Sequence, residues 1–107
     1  MANFEIRRDG DSATLSPGGD VVASSVPELR PAMRDLVRSG VSDMVLDLGR
    51  TEMLDSTGIG LLLSAYNSVS QAGGKFSVVE ASGEILELLR AMRVHQHFPV
   101  AGRSGSQ

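Results

Sequence analysis

Residues 43–80, "DMVLDLGRTEMLDSTGIGLLLSAYNSVSQAGGKFSVVE", decide the fold. "DMVLDLG" is a short apolar run and predicts a strand buried on both faces. From Ser56 the period changes. Ile59, Leu62, Leu63, Tyr66 and Val69 recur at helical spacing and predict a core-facing stripe, which Gly73-Gly74 ends. "KFSVVE" then predicts a second strand. Strand, helix and strand in this order imply a parallel crossover, with the helix packed on a sheet.

Upstream, "NFEIRRDGDSATLSP" predicts two strands joined by a tight turn at Asp9-Gly10-Asp11, where glycine accepts positive φ. Phe4 and Ile6 alternate with polar neighbours on the first strand, as do Ala13 and Leu15 on the second. "SSVPELRPAMRDLVRSG" predicts a helix. Ser25 and Glu28 have capping-box spacing, and Pro27 sits in the first turn. Val26, Leu29, Met33, Leu36 and Val37 share one face, Gly40 stops the helix, and Pro31 predicts a local kink. Downstream, "SGEILELLRAM" predicts a third helix with Ile85, Leu88, Leu89 and Met92 inward. "HFPV" predicts a short edge strand, and "AGRSGSQ" a loose tail. The expected architecture is α/β, in the order β-β-α-β-α-β-α-β. It is one domain over 1–107, with its core at about 4–100 and a flexible tail at 101–107. The sheet is mixed, with four to five strands and helices mainly on one face.

Composition bounds the function. The 107 residues suit one domain. With 41% hydrophobic but only 4% aromatic residues, the core is expected to be aliphatic. The absence of cysteine excludes disulfides and thiolate metal sites and fits a reducing compartment. A net charge of −3, with no basic stripe, argues against direct nucleic-acid binding. No apolar run approaches the roughly 20 residues of a membrane span, and the N-terminus lacks a signal-peptide core. The expectation is a cytoplasmic protein with no membrane partner.

The loop before the second helix draws attention because sites in open α/β sheets lie beyond the carboxyl ends of strands. Asp55 or Ser56 can cap the helix there. Gly58 and Gly60 keep its first turn bare on one side, which would let a partner approach Ser56. A phosphate on Ser56 would sit at a helix N-terminus, where free amides tolerate an anion. It would add roughly 1.5 to 2 negative charges beside Asp55 and repel a partner docked there. On these residues alone, Ser56 reads either as a simple cap or as a modifiable serine. It is not a catalytic nucleophile, because the run is not G-x-S-x-G and no histidine has an obvious route to it. The two glycines match neither a dinucleotide nor a P-loop fingerprint. His95 and His97 lack the further ligands a metal site needs and predict a strand edge or turn. No enzyme activity, cofactor or metal is expected.

"MVLDLGRTEMLDSTGIGLLLSAYNSVSQAGG" resembles the central segment of STAS domains, specifically the bacterial anti-sigma-factor antagonists. Asp47, Leu54, Asp55, Ser56, Gly58, Ile59 and Gly60 match the family pattern position by position. "GGDVVASSVPELR" and "GGKFSVVEASGEILELLRAMRVHQHFPV" resemble its flanks, so the likeness covers about residues 4–100. The resemblance implies that Ser56 is phosphorylated by an anti-sigma factor that is a GHKL-type serine kinase. The unphosphorylated form would bind that kinase and free a sigma factor, and a PPM-type phosphatase would reverse the modification. Val22 stands where the family often has an aspartate, with Asp20 two residues earlier. The alternative is a constitutive STAS scaffold or transporter-associated subunit in which Ser56 is only a helix cap.

The partner surface implied by this likeness comprises Met53, Asp55, Ser56, Thr57, Gly58, Gly60 and Leu61. Met53 is expected exposed and Leu54 buried. Thr57 is expected to turn inward or cap, and Thr51 to be a solvated loop residue. Leu61 and Ala65 fall off the core stripe, and read either as an outer docking patch or as a wider buried face.

Overall fold

The computed structural model describes residues 4–103. Its elements are β1 (Phe4–Asp9), β2 (Ser12–Pro17), α1 (Val26–Arg38), β3 (Asp43–Asp47), α2 (Ser56–Gln71), β4 (Lys75–Ala81), α3 (Gly83–Ala91) and β5 (Val100–Gly102), with a 3₁₀ turn at Val94–Gln96. This is the α/β order expected from the sequence.

The hairpin forms where the Asp-Gly-Asp turn predicts it. Asp9 pairs with Ser12, and Gly10 adopts a φ of +63° that a side chain would resist. The five strands lie in sequence order, β1 antiparallel to β2 and the remaining pairs parallel. Each crossover therefore steps to the next neighbour in the same direction. The right-handed rule then puts α1, α2 and α3 on the same face of the sheet.

That topology corrects the reading of β3. Met44 and Leu46 are buried under the helices, but Val45 and Asp47 point to the open face and are only half-buried. The strand is covered on one side only. Edge effects correct two further positions. Ile6 shares the core-facing side of β1 but is 40% exposed, because β1 is the edge strand and is only partly covered. Met92 is 56% exposed beyond the end of α3 rather than inward, while Ile85 and Leu89 are buried.

The expected capping box of α1 does not form. The Ser25 hydroxyl donates instead to the Asp20 carbonyl (2.7 Å) and accepts from the Val22 N–H (3.0 Å), so it braces the preceding turn. The other end follows the glycine rule. Gly40, at φ +102°, donates to the Val37 carbonyl, and the Val41 N–H reaches Leu36, which together make a Schellman closure.

The last strand begins at Val100, the final residue of "HFPV", and runs on to Gly102, so residues 101–103 belong to the packed structure. The remainder of the expected tail, 104–107, lies outside the described residues. Phe98 is buried and packs edge-on to Phe76 at 4.8 Å, and His97 lies in the turn after the 3₁₀ segment.

Candidate functional site

The site is assembled at the carboxyl ends of β2 and β3 by two loops. One is 18–25, leading into α1, and the other is 48–55, leading into α2. They are joined as if the two strands continued. Val21 and Leu54 form a parallel bridge, the Val21 N–H donates to the Met53 carbonyl (3.1 Å), and the Asp55 N–H points to the Val21 carbonyl (3.4 Å). Both bridge residues are buried, which anchors the loops to the core.

Asp55 is the cap of α2. Its Oδ1 accepts from the Gly58 N–H (2.9 Å), while Oδ2 accepts from the Ala23 N–H (3.0 Å). One carboxylate thus closes the helix and ties it to the loop before α1. The Gly58 amide is the main cause that holds its pKa below the usual aspartate range. Partial desolvation opposes this, and the amides of Ala23, Thr57 and Asp55 itself add to it. A depressed folded-state pKa gives stability that is present above the unfolded value and lost as pH falls through the folded one. Asp55→Asn is therefore expected to be less stable than the wild type across about pH 5–8, with the gap narrowing below about pH 4. Urea midpoints over a pH series would check this. A gap that persists unchanged into acid would show that charge on Asp55 contributes nothing.

Because Asp55 takes the cap, Ser56 does not. Ser56 is the first residue of α2, is exposed, and makes no side-chain hydrogen bond among the described residues. Thr57 is also exposed and does not turn inward as expected. Met53 is 59% exposed at the loop's crest, and Leu54 is in the core. The structure thus brings Met53, Asp55, Ser56 and Thr57 onto one edge, with Gly60 exposed on the same helix end.

Two of the expected contact residues are not on that edge. Leu61 is 1% exposed and faces α1 with Ala65, so the wide-buried-face reading holds and Leu61 has no surface to offer a partner. Gly58 is buried, and a Cβ there would run into the Val21 carbonyl and come within 2.6 Å of Leu54 Cδ1. Its bareness serves packing between the two loops rather than access. At Gly60 a Cβ would meet nothing within 4 Å.

Thr51 is not the solvated loop residue expected. It is 0% exposed, and its hydroxyl donates to the Gly19 carbonyl (2.8 Å). Asp20 has a similar task, since its Oδ1 accepts from the amides of Glu52 (3.1 Å) and Met53 (3.0 Å). Its carboxylate is committed to the loop backbone, while the half-buried Val22 occupies the position discussed above. Arg103 reaches the same loop from the far side and was not legible in sequence, because a lone arginine after a short strand carries no local signal. No group of three or more His, Cys, Asp or Glu residues that could hold a metal occurs among the described residues. No helix among them is long and apolar enough to cross a membrane.

Comparison with known proteins places the chain by family and fold. The family model described as "Mlab, STAS domain" matches residues 4–100. The anti-sigma-B factor antagonist of Bacillus subtilis is 23% identical over 102 residues, which covers 95% of this chain and 93% of that protein. The crystal structure of an anti-sigma factor antagonist from Mycobacterium paratuberculosis superposes with a TM-score of 0.81 at 21% identity, covering 92% of this chain and 83% of the other. The Bacillus cell fate determinant SpoIIAA in its phosphorylated form gives a TM-score of 0.74 at 15% identity, covering 92% and 90%. With a family match over nearly the whole chain, the chain belongs to the STAS domain family.

Proposed function

We propose that this protein is an anti-sigma-factor antagonist that works by partner switching in the cytoplasm. Unphosphorylated, it binds an anti-sigma factor that is also a GHKL-type serine kinase, and a sigma factor is released. Phosphorylation of Ser56 ends that binding, and a PPM-type phosphatase restores it. The protein is the substrate and the switch, not a catalyst.

One observation carries this reading. The cap of α2 belongs to Asp55, which leaves the Ser56 hydroxyl exposed and unengaged at a helix N-terminus. A serine retained only as a cap would spend its hydroxyl on the helix amides. Here that work is done by its neighbour. A phosphate on Ser56 would remain compatible with the helix while placing its charge beside Asp55 and the exposed Met53, where a partner would otherwise make apolar contact. The relatives named as antagonists, and a fold neighbour solved in a phosphorylated form, support the same reading.

The test is a quantitative pull-down from lysate of the native host, with wild type, Ser56→Ala and Ser56→Asp as baits. Wild type and Ser56→Ala should retain a kinase of the stated type. Ser56→Asp should bind it on the order of 100-fold more weakly, as expected when like charge or an unpaired charge is forced into an interface. Equal retention by all three would replace this reading with a constitutive scaffold.

A further inference from the structure

The loop that carries Met53 toward Ser56 is gripped from two sides. On one side Asp20 holds the Glu52 and Met53 amides, and Thr51 holds Gly19. On the other side stands Arg103, immediately after β5. Its own N–H donates to the Ala81 carbonyl (3.0 Å), which fixes it to the end of β4. Its Nη2 then reaches the Gly49 carbonyl (3.1 Å), the Thr51 carbonyl (3.3 Å) and the Glu52 carboxylate (3.3 Å). A single nitrogen with two protons thus spans three acceptors on one loop.

We propose that Arg103 is a positioning residue for the switch. It holds the carbonyls of Gly49 and Thr51 so that Glu52, Met53 and the start of α2 are presented in one conformation to the kinase. This rests on the reading of Ser56 as the phosphorylated serine.

Residues 49–53 form neither helix nor strand, and Gly49, Arg50, Glu52 and Met53 are exposed. The Asp20 side fixes amide hydrogens, and Arg103 fixes carbonyl oxygens. Without Arg103 the Thr51–Glu52 peptide keeps its Asp20 bond through the Glu52 N–H but its carbonyl loses a donor, as does the Gly49 carbonyl, so a partner must order more of this loop on binding. The Arg103 grip is also the incomplete one. Two protons serve three acceptors, and the buried Nε has no partner among the described residues. The Glu52 arm is exposed to solvent. Lysine would reproduce it only in part: its ammonium carries three protons on one nitrogen, but its stem is shorter and more flexible than that of arginine.

The experiment compares the full chain with Arg103→Ala and Arg103→Lys. Amide exchange is followed at Thr51, Glu52 and Met53. The rate of phosphate incorporation at Ser56 is followed with labelled ATP in lysate of the native host. Arg103→Ala should raise exchange at those three amides about tenfold, as a local opening would, and leave Leu62 and Val69 in α2 unchanged. It should slow labelling of Ser56 several-fold, with Arg103→Lys in between. Unchanged exchange would show that Arg103 does not hold the loop. Faster exchange with an unchanged labelling rate would reduce Arg103 to a structural contact and overturn the proposal. Faster exchange with no labelling of Ser56 even in wild type would instead refute the kinase reading, and with it the role assigned to Arg103.

Discussion

Gly58→Ala is expected to destabilise the protein by about 3 kcal/mol, although alanine is the better helix former. In an ordinary helix interior this change would gain about 1 kcal/mol. Here the new methyl would enter the space taken by the Val21 carbonyl and by Leu54 Cδ1 at 2.6 Å. The leucine end can swing aside. The carbonyl cannot, because both peptides flanking Val21 are held, one by its N–H on the Met53 carbonyl and the other by its oxygen facing the Asp55 N–H and by the Val22 N–H on Ser25 Oγ. Relief would require α2 to move away from the 18–25 loop, which would break the Val21–Leu54 bridge and strain the two Asp55 bonds. A loss of this size would lower the melting temperature of such a domain by roughly 10–20 °C. Gly60→Ala is the control, since its methyl meets nothing within 4 Å, and it should be neutral or stabilising by up to about 1 kcal/mol. Thermal or urea unfolding of the pair decides the matter. If both behave alike, close contact of α2 with Val21 is not what the glycine serves.

The second large effect is expected from Leu61→Ala. Leu61 is fully buried between α2 and α1, beside Met33, Met44 and Ala65. Truncation removes buried methyl groups and leaves a cavity that two packed helices close only in part. The cost should be about 3 kcal/mol, within the range of 2–5 kcal/mol for such changes. The urea midpoint should fall with no change in slope. Affinity of the folded variant for the partner retained by wild type should stay within about twofold, because the residue makes no surface. Weakened binding with unaltered stability would restore the docking-patch reading of α2's outer side.

These expectations show where sequence was informative. The start of α2 at Ser56 is legible because an acid-serine pair precedes a run of helical period, and the structure assigns the cap to the acid. Gly10 and Gly40 are legible as turn and stop residues because positive φ leaves a local signature in the pattern. Gly58 and Gly60 look alike in sequence, yet one is packed against a backbone carbonyl and the other is open. Nothing within five residues of either distinguishes them. Ser25 and Glu28 have the spacing of a reciprocal cap, but the Ser25 hydroxyl accepts from the Val22 N–H and donates to the Asp20 carbonyl instead. Local competition between backbone partners is decided by geometry that spacing does not encode.

The type and order of the main elements, the hairpin, the parallel crossovers and the position of Ser56 at a helix mouth were legible in the chain alone. All of these follow from periodicity, caps and turn chemistry acting over a few residues. Packing between distant segments is what covers β3 on one face alone, makes Leu61 core, buries Thr51, and holds the loop before Ser56 through Asp20 and Arg103. Those outcomes depend on what lies opposite. The Thr51 hydroxyl meets a carbonyl 32 residues away, Asp55 an amide 32 residues away, and Arg103 a carbonyl 54 residues away. Such pairings are fixed by the hand of the crossovers and by close packing, and no local pattern in the chain carries that information.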